Sequence, residues 1–155
     1  IDATVEITRR IGKQPVRLKR DWAGFIINRI QFAVMHEAYH LVESGVADPE
    51  AVDLVVSQGL GLRWAAVGPF RLMDLAGLPT FERVAASLFP QLSQATEAPP
   101  FVQDLIARGH LGARSGRGLY DYPPGAAEAE VAKRDRRLIT MRAALDRIEN
   151  DPGKG

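Results

Sequence analysis

The stretch at residues 23–48, AGFIINRIQFAVMHEAYHLVESGVAD, constrains this chain more than any other. It opens beside Gly24, runs about six turns with no proline or further glycine, and stops at Gly45, which predicts one long helix. Apolar residues recur at helical spacing, so that Ile26 or Ile27, Ile30, Val34, Ala38, Leu41 and Val42 form one stripe. Arg29, His36, His40 and Glu43 make the opposite, polar face. Asn28 sits one turn in, in the company of Phe32, Met35 and Tyr39. An amide among apolar neighbours costs free energy unless its donor and acceptor are paired, which makes a substrate a candidate partner.

Within the same helix His36-Glu37-Ala38-Tyr39-His40 matches H-E-x-x-H, the spacing that puts two imidazoles on one face beside a carboxylate. A zinc peptidase needs a third ligand, and the remaining candidates are His110, Glu50 and Glu82. Glu50 and Glu82 fall in the first turns of predicted helices rather than on a second site helix. The wet side of an amphipathic helix explains the same three residues. No metal is expected, and the zinc peptidase stays as the remote alternative.

The 155 residues suffice for one domain with a core and fall short of a two-domain enzyme. A net charge of +1 gives no electrostatic reason to expect nucleic acid or an anionic membrane as partner. With no cysteine there are no disulfides or thiolate metal sites, in keeping with a reducing, cytoplasmic setting. No apolar run approaches a membrane span, and no leader pattern is visible. The sequence starts at Ile1 inside a helical pattern, so it reads as part of a longer protein.

Residues 2–12 have helical spacing with Gly12 as the stop, and 16–19 (VRLK) alternate like a short strand. A lone strand leaves its backbone groups open as an edge, so it calls for a sheet from missing sequence or from another chain. Asp48-Pro49-Glu50 starts a helix over 51–58, with Gly59 as its end and 59–64 as a loop. Gly68-Pro69 starts another over 70–75, ended by Gly77. Thr80 caps a third, which Pro90 interrupts, and Pro99-Pro100 opens a fourth through Ala107. The glycine-rich 109–122 (GHLGARSGRGLYDY) lacks the spacing of a phosphate loop and is better read as a tight turn feeding Tyr120 and Tyr122 to the core. Residues 126–150 are helical again, with Val131, Leu138, Ile139, Ala143, Leu145 and Ile148 expected to face inward, and 151–155 are expected to be a disordered tail.

Four segments in order resemble the C-terminal part of the L-3-hydroxyacyl-CoA dehydrogenase family. They are Gly12-Lys13-Gln14-Pro15-Val16, Gly24-Phe25-Ile26-Ile27-Asn28-Arg29, Gly68-Pro69-Phe70, and Gly112-x-x-x-Gly116-x-Gly118-x-Tyr120. Asp21-Trp22-Ala23 departs from the family, which usually carries a proline before that second segment. The resemblance implies a mainly α fold: a remnant last helix and strand of a Rossmann domain over 1–22, then a helical dimerisation and substrate-cleft domain over 23–150.

It further implies that the parent is an NAD-dependent 3-hydroxyacyl-CoA dehydrogenase of fatty-acid metabolism. In that family a Rossmann domain binds NAD, a His–Glu pair carries the acid–base chemistry, and the helical domain closes the cleft and dimerises. The nucleotide loop and the His–Glu pair would lie before residue 1, so this stretch alone is expected to bind no NAD and to be inactive. Asn28 matches the family's active-site Asn, and Arg63, Val67, Gly68, Pro69 and Phe70 are the expected substrate-binding residues. The segment GLGLRWAAVGPF and the RDRRL helix are also similar to the branch containing lambda-crystallin and L-gulonate 3-dehydrogenase. That leaves a small hydroxy acid as the alternative to acyl-CoA, with Arg63 as carboxylate partner. A non-catalytic dimerisation module is a further alternative. The expected partner is a second copy, in a homodimer built from helices between residues 23 and 75.

Overall fold

The computed structural model describes residues 2–150, and these are helical throughout their regular structure. The order is α1 (Asp2–Arg10), α2 (Phe25–Glu43), α3 (Pro49–Leu54), a π-helical segment (Val55–Gly61), α4 (Leu62–Ala66), α5 (Pro69–Ala76), α6 (Leu78–Leu88), α7 (Pro100–Ala107) and α8 (Ala126–Glu149). Two 3-10 turns, Phe89–Gln91 and Ala113–Ser115, follow α6 and α7. The mainly α, C-terminal-domain architecture expected from the sequence is the one observed. The chain falls into two units, Ile1–Met35 and His36–Gly155, with the division inside α2. No described helix is long and apolar enough to cross a membrane. The expected tail at 151–155 lies outside the described residues.

In the first unit α1 ends two residues before Gly12, whose φ of 74° lets the chain turn away from the helix. Residues 13–18 then run without regular structure, so the strand expected at 16–19 is not formed. The physical reason is the one that made it suspect: a strand is held by hydrogen bonds to a neighbour, and the described residues supply none. Arg17 instead reaches back to Asp2 at 3.1 Å, an exposed pair of small energetic consequence.

In the second unit Asp48 caps α3, its side chain accepting from the Ala51 amide at 2.8 Å with Pro49 in the first turn. Gly59 does not end this helix. The chain widens into the π-helical segment, tightens into α4, and the expected 59–64 loop is helical. A Cβ on Gly61 would lie 3.0 Å from the Val56 carbonyl oxygen, so the wider turn closes here around a residue without a side chain. Likewise α6 starts at Leu78 rather than at a Thr80 cap, because Gly77 at φ 97° ends α5 and opens α6 in one step. Pro90 falls in the 3-10 turn that follows α6, where the interruption was expected.

Packing is sparse in both units. Pro99 is the one buried residue among those described, and no apolar side chain of the hydrophobic set is buried. α8 departs furthest from expectation: residues 128–143 are exposed throughout, and of the set expected to face inward only Leu145 is half-buried. The spacing of apolar residues marked positions along α8 but could not say that this chain itself covers them.

Candidate functional site

The first unit holds Asn28 in the opening turn of α2. Gly24 at φ 80° and Phe25 at φ 50° precede it, two successive left-handed residues. Phe25 is the one non-glycine with positive φ among the described residues, and strain of this kind concentrates where a structure must aim a side chain. The Phe25 amide donates to the Trp22 carbonyl at 3.1 Å, while Arg20 and Arg29 stack on the Trp22 ring at 4.4 and 5.7 Å. Trp22 thus organises the entrance to the helix, at the departure from the family's usual proline. Asn28 is exposed, and its amide makes no hydrogen bond to any described residue. It does not fold back on its own backbone. Around it Phe25 and Ile27 are 58% and 74% exposed, so an unpaired amide stands on an uncovered apolar surface.

The second unit holds the remaining predicted residues on one short run. Arg63 lies on α4, exposed, with Nε donating to the Gly59 carbonyl of the π-helical segment at 3.3 Å. Val67 ends α4 in extended conformation, Gly68 caps α5 without a side chain, and Pro69 fills its first turn. Phe70 follows at 82% exposure. The Val67 amide donates to the Arg63 carbonyl at 2.9 Å, so the π segment, α4 and the Gly68-Pro69-Phe70 corner are consecutive and mutually tied. The structure brings Arg63 and 67–70 together along this run, and places Asn28 in the other unit.

His36, Glu37 and Tyr39 do something the sequence did not suggest. His36 Nε2 lies 2.8 Å from the Ala95 carbonyl and 3.1 Å from Ser93 Oγ. Glu37 accepts from the Ser93 amide at 2.9 Å, and Tyr39 meets Phe101 edge-on at 6.0 Å. These residues clamp the irregular 92–98 segment onto α2. The expectation of a simple solvated face is corrected for His36 and Glu37; His40 and Glu43 remain exposed. The partners, Ser93 and the Ala95 carbonyl, sit more than fifty positions away in a segment with no pattern, so nothing in the sequence signalled them. Among the described residues no three of His, Cys, Asp or Glu are grouped to hold a metal ion.

The glycine-rich segment is a closed turn. The Gly112 amide donates to the Arg117 carbonyl at 2.9 Å, Gly116 to Ala113 at 3.2 Å and Gly118 to Tyr120 at 2.8 Å. A phosphate cradle needs such amides free and convergent; here they are spent within the loop. Its Tyr120 hydroxyl donates to Asp53 on α3 at 2.8 Å, a polar contact to a half-buried ring where the sequence led to the expectation of packing onto a core. Burial, and then the Asp53 carboxylate beside it, raise the Tyr120 hydroxyl above its ordinary range.

Comparison with known proteins follows the same lines. The 3-hydroxyacyl-CoA dehydrogenase C-terminal domain family matches residues 24–122, and the chain belongs to that family. It is 38% identical over 141 residues, 91% of its length, to a 5-formyl-3-hydroxy-2-methylpyridine 4-carboxylate 5-dehydrogenase of Mesorhizobium japonicum, of which it covers 46%. A crystal structure of a dehydrogenase of that name, described as an NAD+-dependent dismutase, superposes with a TM-score of 0.89 at 37% identity, over 94% of this chain and 47% of that one. The lambda-crystallin homolog of Bos taurus is 52% identical over 75 residues, 48% of this chain and 23% of the relative. The chain thus spans about half the length or less of these relatives.

Proposed function

We propose that this chain is the helical, substrate-cleft half of an NAD-dependent dehydrogenase acting on the hydroxyl of a small carboxylate-bearing substrate. The observation that carries this reading is Asn28: an unpaired amide, aimed by a strained helix start, on an apolar surface that awaits cover. Its NH2 is a donor for the substrate oxygen on which negative charge develops, and in a dry cleft such a donor supplies about 3 kcal/mol. Arg63, in the second unit, is a separate candidate carboxylate partner through the N–H groups beyond its Nε. The Mesorhizobium relative is named for a pyridine carboxylate, which supports the free acid. The family's own name supports a second reading, a 3-hydroxyacyl-CoA substrate, and the lambda-crystallin relative keeps the sugar-acid branch in view.

The described residues do not fit a dinucleotide: they include no strand leading into a glycine-rich helix start, and the glycine loop has spent its amides. We assign NAD binding and the acid–base pair to a further domain of a longer parent. Alone, the chain is expected to bind no NADH, and tight binding in a fluorescence titration would overturn that division. On the parent, turnover of free hydroxy acids against 3-hydroxybutyryl-CoA decides the substrate. Arg63→Ala should raise KM for the free acids by about tenfold if the pairing is made.

We also propose a homodimer. The bare apolar residues of α2 and of α3 to α5, with the unpaired 16–19 segment, favour a second copy burying well over ~1,200 Å². Without its parent domain the chain would then serve as a dimerisation module.

A further inference from the structure

α8 carries a pattern the dimer expected from residues 23–75 does not use. Val131, Arg134, Leu138, Met141, Leu145 and Ile148 follow one another at spacings of three, four, three, four and three. That is a 3.5-residue seam, the a and d positions of three heptads, narrower than the stripe by which a helix lies on a broad core. The seam is open along most of its length: Val131 is 45%, Leu138 57% and Ile148 73% exposed, Leu145 is half-buried, and no other helix packs broadly along α8 among the described residues.

The flanking charges say what fits it. In a parallel pair in register, Glu130 would face Asp135 of the second copy, and Arg137 would face Arg142, each twice by symmetry. In an antiparallel pair with Val131 opposite Ile148, Arg134 opposite Leu145 and Leu138 opposite Met141, the flanking residues are Asp135 and Arg142, again twice. Glu128 and Glu149, near the ends of α8, then meet a like charge. Arg134, at a d position, lies opposite Leu145 with its stem along the seam, a polar interruption of the kind that fixes register at some cost in stability. Within one chain Arg142 pairs with Asp146 at 2.6 Å and Asp135 with Arg134 at 2.7 Å, both exposed and free to exchange partners.

We infer that α8 docks antiparallel against α8 of a second copy, with Val131 facing Ile148 and Asp135 facing Arg142 across the pair. This rests on the homodimer reading and adds to it a contact of its own. The chain has no cysteine, so introduced ones report cleanly. Val131 and Ile148 of one helix are about 25 Å apart, beyond the ~7 Å between Cα atoms that a disulfide spans. The V131C/I148C double variant of the full chain should therefore form only an interchain disulfide, while V131C and I148C alone should not link. R142D should weaken association roughly tenfold, and D135R/R142D should restore it, since both share the local loss of the Asp146 pair.

A double variant that stays unlinked while light scattering reports a dimer would overturn the α8 contact and leave the homodimer standing. I148C linking alone as readily as the double would mean a parallel pair and overturn the proposal. A monomer, unlinked, would overturn both readings, and α8 amides protected from exchange in that monomer would mean that the chain's own surface covers the seam.

Discussion

Residues 25–35 and 36–43 of α2 carry one continuous apolar stripe, yet their surroundings differ. In the first part Phe25, Ile26, Ile27, Ile30 and Phe32 are all exposed around an unpaired Asn28. In the second, Ala38, Leu41 and Val42 are half-buried, and His36, Glu37 and Tyr39 hold Ser93, Ala95 and Phe101. One part is finished by its own chain and the other is not. Periodicity says which way a helix faces; it does not say whether the covering surface belongs to the same polypeptide.

The largest effect expected is on the uncovered part. Ile27→Glu places a charge where an apolar partner surface should sit, and is expected to turn a micromolar dimer into a 17.0 kDa monomer by light scattering. A dimer that tolerates the change would remove this face from the interface. Wild-type chain running as a monomer would defeat the homodimer altogether.

Asn28→Ala comes next. In the parent enzyme, turnover should fall by roughly two orders of magnitude, about 3 kcal/mol, with the helix intact because Ala is the better helix former. Unchanged steady-state kinetics would take Asn28 out of the site and leave its strained approach unexplained.

On the finished part, His36→Ala should cost about 1–2 kcal/mol in urea unfolding, since it removes the contacts to Ala95 and Ser93. Exchange at the Ser93 and Ala95 amides should quicken, with the parent's turnover preserved. Loss of turnover with an intact fold would make His36 functional rather than a clamp.

The smallest effect is expected away from α2, at Tyr120→Phe. It removes one hydrogen bond to Asp53 and should cost about 1 kcal/mol. Because the folded Tyr120 keeps its proton to higher pH than the unfolded one, its contribution is complete below the ordinary tyrosine pKa of about 10. It is lost as pH rises through the folded value. A spectroscopic titration should therefore show one of the three tyrosines ionising last, and a Y120F protein losing that late step. Three tyrosines ionising together would contradict the Asp53 contact.

Much of the fold was legible because its signals are local. Asp48-Pro49, Gly68-Pro69, Gly77 and Gly109 punctuate helices by backbone conformation alone, and the chain begins and ends helices at or near each. The glycine-rich turn was legible for a similar reason. A Cβ on Gly118 would sit 2.7 Å from Gly112 Cα, so the turn closes only around glycine. Gly59 misled because a glycine permits a helix to end without requiring it, and the π-helical turn takes it in stride.

What the sequence determined by itself was the helical class, the family and the position of Asn28 at a helix start, all of which follow from spacing, punctuation and ordered motifs. Tertiary structure alone decided the His36–Ser93 clamp, the Tyr120–Asp53 anchor, the missing strand and the open seam of α8. Each depends on a neighbour far away in the chain, or on the lack of one. A residue's type and local period do not fix what stands across from it within the chain until the chain has folded.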